Sequence, residues 1–256
     1  MGEAELLLLE HPDAQALSEV FAAIYEGLPQ DQLGDLSALG VSPSARVSPM
    51  ATDPAAELFA ECARLFGNRR TALYMKDDPS WTTPAVVVRP PTAVVLSPGL
   101  AALPSAELRF LLGRALWLLR SEHALVVGLP KERLNALFMS AVRAFHPRHA
   151  AVRANDAGAA GETDAQQLRK QLPYKVVKRL SELFQRETDT QFSSARWRKG
   201  VEHSANRAGL VACGEFRAAA RVLRDEGDDE SLRELGRFTL SEAYLALRER
   251  ADVPRV

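Results

Sequence analysis

The stretch from Ser105 to about Ala124, SAELRFLLGRALWLLRSEHA, limits the possible folds of this chain more than any other. At helical spacing, Leu108, Leu111, Leu112, Ala115, Leu116, Leu118 and Leu119 crowd more than one face. A surface helix needs one apolar stripe, whereas a helix that is apolar on several sides has to be packed on several sides. The remainder of the chain must therefore build layers around a central core helix. With 256 residues, 46% of them hydrophobic, it has the apolar surface to do so.

Helical patterns flank this element. Asp13 is a candidate N-cap for a helix to about Glu26, with Leu17, Val20, Phe21 and Ile24 on one face. Residues 27–54, rich in Pro, Ser and Gly, read as a loop with at most one helical turn. Asp53-Pro54 then provides a cap and a first-turn proline for a helix that buries Leu58, Phe59, Cys62, Leu65 and Phe66 and stops at Gly67-Asn68. Three β-branched runs follow, TALYMKD, AVVVRP and TAVVLSP, joined by turns at Asp78-Pro79-Ser80 and Pro90-Pro91. Their spacing predicts a small antiparallel sheet packed on the central helix.

From Pro130 the pattern is helical: 131–145, one or two helices over 164–190 with a boundary at Pro173, then 194–212, 214–226, and a last one from Thr239 or Ser241 to Arg250. Residues 154–163, ANDAGAAGET, lack apolar periodicity and read as a mobile insertion. The expected class is α+β, mostly α-helical, with residues 1–54 as an N-terminal helix and loop and residues 55–256 as the main helical domain.

Composition narrows the function classes. A net charge of −1 exerts no global pull towards nucleic acid or an anionic membrane. Cys62 and Cys213 are isolated, which fits a reducing compartment and no disulfide framework. The start, MGEAELLLLEHPD, lacks the basic residues and longer apolar run of a signal peptide. No apolar run approaches the roughly 20 residues that span a bilayer. The expectation is a cytoplasmic protein without membrane insertion. The Ala-, Arg- and Leu-rich, Lys-poor composition fits a GC-rich bacterial genome, and the abrupt helical start fits a piece of a larger chain.

The approach to the central helix, AVVLSPGLAALPSAELRFLL, is a strand, a turn and an acidic helix start. A later helix carries EHSANRAGL, Glu202 to Leu210, followed by EFRAAARVL, Glu215 to Leu223. In order and spacing these features resemble the HtpX-like and CAAX-prenyl-endopeptidase family of gluzincin metallopeptidases, over about residues 55–226. The resemblance implies a zincin-like core. Where that family has H-E-L-G-H, this chain has Arg114-Ala115-Leu116-Trp117-Leu118, and Glu202 falls at the third zinc-ligand position.

The departures decide the chemistry that the resemblance implies. Arg114 offers only donors, Ala115 has no base, and Leu118 has no lone pair. Glu202 alone cannot hold a catalytic zinc. The implied protein is a pseudo-peptidase with no catalytic residue, no metal and no other cofactor. Arg114 and Glu202 would face each other across the vacated site, and their ion pair would replace the metal bridge. The alternative is a solvated arginine and a surface glutamate. Leu118, with Trp117, would fill the space of the zinc and its water.

Other chemistries have weaker support. His123 reads as a helix-end residue. His146 and His149 are separated by the helix-breaking Pro147. His203 points about 100° away from its neighbour Glu202 on a helix. No G-x-S-x-G, P-loop or G-x-G-x-x-G occurs. The stretch 169–199 is basic: Lys175, Lys178 and Arg179 share a face, Arg186 follows, and Trp197 is among the interleaved aromatics. It is a candidate interaction surface for a nucleic acid or an acidic partner, unless acids such as DEGDDESLRE at 225–234 balance it. The expected function is a non-catalytic protein-interaction or scaffolding module with an unidentified protein partner. Two alternatives stand beside it: a nucleic-acid binder using the basic helices of 169–199, and a hydrolase with a site rebuilt around Glu202, using Glu107, Glu122 or Glu202 with His203.

Overall fold

The computed structural model describes residues 1–146, 158–186 and 193–250, which form a mostly helical α+β fold with one small sheet. Helix α1 (Glu3–Leu9) leads into α2 (Pro12–Gly27). The cap of α2 is His11 rather than Asp13: its Nδ1 accepts the Asp13 N–H at 3.1 Å. Pro12 occupies the first turn, where its missing N–H costs nothing. The loop that follows holds two short 3-10 turns, Gln30–Gln32 and Pro43–Ala45. Helix α3 (Pro54–Leu65) starts as its sequence predicts, with the Asp53 carboxylate accepting the Ala56 N–H at 3.0 Å. It stops at Gly67, whose φ of +77° a residue with a side chain rarely adopts.

Strands β1 (Ala72–Met75), β2 (Ala85–Val87) and β3 (Ala93–Leu96) form a sheet in the order β1-β3-β2. β2 and β3 pair antiparallel, but β1 and β3 run parallel, in the register Ala72↔Ala93 to Met75↔Leu96. The expected antiparallel sheet is therefore corrected to a mixed one. All four residues of β3 are buried, so it belongs in the middle. The loop 76–84 carries the chain past that place to the far edge before it returns.

After the turn α4 (Pro98–Ala101), α5 (Ser105–Trp117) is the central helix. Phe110, Leu112 and Leu116 are fully buried. The helix ends well short of the expected Ala124. The Asn68 side-chain amide donates to the Leu116 carbonyl at 2.7 Å, and the Arg120 carbonyl closes a turn onto the N–H groups of His123 and Ala124. α6 (Ala124–Gly128), α7 (Lys131–Phe145), α8 (Gly158–Gln171) and α9 (Tyr174–Arg186) follow. Of the segment expected to be mobile, residues 154–157 lie outside the described residues, and from Gly158 the chain is helix.

The last layer is α10 (Ser194–Cys213), α11 (Phe216–Asp225), α12 (Asp229–Thr239) and α13 (Glu242–Arg250). α10 lies against α5 so closely that Gly113 meets Gly209, Ala208 and Ala212. α12 was unforeseen. Its acidic start is a helix terminus: Asp228 caps Ser231 N–H at 3.0 Å, and Asp229 and Glu230 occupy the first turn. One apolar cluster runs from Leu9 to Leu247, with α2 packed on α9 and α10, so the boundary expected at 54 is not a boundary of packing. Among the described residues no helix is long and apolar enough to cross a membrane.

Candidate functional site

The four positions of the expected zinc frame do not converge. One guanidinium nitrogen of Arg114, Nη1, donates to both carboxylate oxygens of Glu226, at 2.7 and 2.9 Å, just past the end of α11. Glu202 instead accepts from Arg198 at 3.1 Å and lies 3.8 Å from Lys199. What meets Arg114 on α10 is Gly209, about two helical turns from Glu202. Ala115 is packed in the core, and Leu118 is a half-buried cap at the end of α5. The expected Arg114–Glu202 pair is corrected accordingly, as is Leu118 as filler of a vacated cleft. A guanidinium, a methyl, an isobutyl group and a carboxylate already bound to two cations do not fit zinc. Among the described residues no group of three or more His, Cys, Asp or Glu is arranged to hold a metal ion.

The basic stretch is not a basic face. Trp197 has 0% exposure and stacks on Phe21 with ring centroids 3.7 Å apart. It is core, because this end of α10 packs on α2. Arg179 pairs with Glu26 at 3.0 Å, Arg196 with Asp13 at 2.7 Å, and Lys178 reaches Glu182 at 4.0 Å. Lys199 stands between Glu202, Asp228 and Glu230. Lys175 is exposed, and the Arg186 side chain lies outside the described residues. Acids on α2 and at the start of α12 answer Arg179, Arg196 and Lys199, and acids on their own helices answer Lys178 and Arg198, in the direction of the balanced alternative.

A rebuilt hydrolase fares no better. Glu107 is buried against Arg221 at 2.6 Å, and Glu122 takes Arg120 and Ser121. His203 is not beside these groups. Its ring is 5.1 Å from that of His11, and Glu234 lies 4.0 Å from its Nδ1 and 3.9 Å from His11 Nε2. Glu234 accepts two N–H groups of Arg207. A cleft of about 490 Å³ opens beside this knot. The knot nevertheless has no free base aimed at a reachable nucleophile. His11 Nδ1 is occupied by a backbone N–H, and Ser231, 3.5 Å from His203, has 0% exposure. Burial pushes the Cys62 thiol up to about 12 and the Cys213 thiol up to about 11, so neither supplies a thiolate.

The histidine knot fastens the start of α2 to α10 and α12 and makes stability depend on pH. Burial, with Arg207 beside it, holds His11 below 6.5; burial, with Lys199, does the same for His203. The unfolded chain then binds more protons than the native one below that pH. Stability is therefore complete above about 6.5 and falls as pH drops through it. Burial raises the Glu10 carboxyl, but the His123 ring 3.5 Å away and the hydrogen bond from Ser18 outweigh it and hold the group below 4.5. Its own loss comes only at more acid pH. The Tm by calorimetry should be lower at about pH 5.5 than at about pH 7.5, and a His11→Gln/His203→Gln variant should flatten the difference. An equal Tm at the two values would count against a buried, neutral pair.

A second cleft, of about 780 Å³, has a different character. Its floor is the face of α3 bearing Ala56, Phe59 and Ala63; its far wall is the 46–51 segment and the outer edge of β1. Val47 N–H bonds the Leu73 carbonyl at 2.9 Å, and Arg46 faces Tyr74 in an antiparallel bridge. The next ladder pair would be Pro49 with Thr71, and Pro49 has no N–H to give, so the ladder stops and the cleft stays open.

Four arginines line the cleft: Arg46, Arg64, Arg69 and Arg70. Arg64 Nε donates to the Ala60 carbonyl; among the described residues none of the four pairs with a carboxylate. Of the two glutamates present, Glu61 is taken by Arg109 at 2.6 Å, and Glu57 remains. Arg69 and Arg70 are on a fixed turn: Asn68 N–H bonds the Ala63 carbonyl, its side chain pins the turn to α5, and Thr71 N–H returns to Asn68. Sequence reasoning missed this cleft. Its signal was the Arg-Arg pair directly after a helix stop, but Arg46 and Arg64 join that pair only through the fold. Comparison with protein-family models, with curated proteins and with solved structures gave no match.

Proposed function

We propose that the chain is a non-catalytic protein-interaction module on the frame of an inactivated zinc metallopeptidase. The peptidase ancestry rests on the order of sequence features and on the close pairing of α5 with α10. The observation that carries the function is a contrast. The buried and half-buried carboxylates Glu107, Glu122, Glu202 and Glu234 are each neutralised by a neighbouring cation, whereas among the described residues none of the four arginines of the α3 cleft is paired with a carboxylate. Charge is spent on holding the fold where catalysis would need a free base, and it is available where a partner can reach it. The alternatives have less support: Lys178, Arg179, Arg196, Arg198 and Lys199 of the basic stretch each reach a carboxylate, and among the described residues no histidine is paired with Glu202.

The test is to incubate the purified chain with casein and with an unstructured peptide, with and without added zinc, and to follow the products by mass spectrometry. No cleavage above background is expected in either condition. Cleavage that chelator abolishes would end this reading.

A further inference from the structure

We infer that the cleft between α3 and the 46–51 segment receives an extended, acidic segment of a partner protein. This rests on the non-catalytic binding role proposed above and names the chemistry of what is bound. Three observations lead to it. The first is charge: among the described residues none of Arg46, Arg64, Arg69 and Arg70 is paired with a carboxylate, and although Arg64 Nε donates to the Ala60 carbonyl and Glu57 shares the lining, four guanidinium groups against that one unpaired acid leave the cleft cationic.

The second is shape. The arginines come from three separate stretches, the 46–51 segment, the end of α3 and the turn before β1, and so reach one open cleft from more than one wall. A single small anion is held by donors converging on one point. Donors carried by separate walls of a groove suit charges carried by successive residues of a chain. The floor from Ala56 to Ala63 covers about two helical turns, or about 10 Å, which about three extended residues span. The third is the apolar floor of Ala56, Phe59 and Ala63, with Val47 and Ala51 on the wall beside it. An occupant therefore alternates carboxylates with apolar side chains: the carboxylates reach the arginines while the apolar groups cover the floor.

The probe is a fluorescein-labelled hexapeptide of alternating aspartate and leucine, titrated against the full chain by anisotropy. The expected result is saturable binding that weakens with salt. The Arg69→Glu/Arg70→Glu variant should weaken it by about tenfold or more, as charge reversal at an electrostatically complementary surface does. Arg69→Gln/Arg70→Gln should fall between the two. Both arginines are exposed and unpaired, so circular dichroism melts of the variants should match the parent. An asparagine-leucine peptide should bind as weakly as the reversed variant binds the aspartate peptide.

Equal binding by parent and variants would overturn the inference, as would equal binding of the asparagine peptide. Succinate or inorganic phosphate displacing the peptide at equal concentration would overturn it in favour of a small-anion site. Mass spectrometry of the recovered peptide separates the two readings. A cleaved peptide sinks the non-catalytic role while the cleft still binds. An intact but unbound peptide sinks the occupant and leaves the non-catalytic role standing.

Discussion

Replacing Trp197 with alanine is expected to destabilise the fold by about 3–5 kcal/mol, the range for buried aromatics truncated to alanine. In sequence Trp197 lies among cations and reads as surface, but the indole is fully buried and stacked on Phe21, which in turn stacks on Phe138. Truncation leaves a cavity where α2, α7 and α10 meet. Urea unfolding measures the loss. For a chain of this length it corresponds to a fall in Tm on the order of 10 °C. The indole Nε1 is buried with no hydrogen-bond partner among the described residues, so Trp197→Phe gives up volume and no bond there, and should cost much less. A change below about 0.5 kcal/mol for Trp197→Ala would be the behaviour of a surface side chain and would return this residue to the candidate interaction surface.

The second large effect concerns a position where theory for an isolated helix gives the opposite sign. Alanine is a better helix former than glycine by about 1 kcal/mol, so Gly209→Ala in an exposed helix would stabilise. Here a Cβ at Gly209 would lie 2.6 Å from the Phe110 carbonyl oxygen and 2.8 Å from its ring. A Cβ at Gly113 would lie 2.8 Å from the Gly209 Cα itself. The neighbours are backbone and core side chains that cannot rotate away, so the two helices must separate. Gly209→Ala should lose about 2–3 kcal/mol net, within the range for overpacked cores. A neutral or stabilised Gly209→Ala in urea titration would mean that α5 and α10 pack less tightly than described.

How far sequence carried can be judged from particular residues. Asp53, Pro54 and Gly67-Asn68 bounded α3 almost to the residue, because caps and glycine stops act locally. The apolar crowding of 105–119 identified the central helix for the same reason. Its end was not legible, since it depends on Asn68 reaching across from another element to take the Leu116 carbonyl. The parallel pairing of β1 with β3 was hidden too: strand composition specifies burial, and only the path of the 76–84 loop decides direction.

The site divides along the same line. That Arg114, Ala115 and Leu118 cannot ligate zinc follows from side-chain chemistry alone. That Arg114 turns to Glu226 follows from where α11 ends over α5, which no local pattern encodes. Trp197 misled because a long aromatic among cations has the same sequence pattern whether it faces solvent or α2.

The link between Asn68 and Leu116 also bears on the thermodynamics of recognition. A binding loop that is loose in the free protein must be frozen by its ligand, and the backbone entropy is charged against affinity at about 1–2 kcal/mol per residue. The turn carrying Arg69 and Arg70 is already anchored to α5, the central helix. An arriving anion has only side-chain rotamers left to order, at about 0.5–1.5 kcal/mol each. The cleft thus borrows its preorganisation from the core, and a substitution at Asn68 would weaken recognition without touching a single arginine.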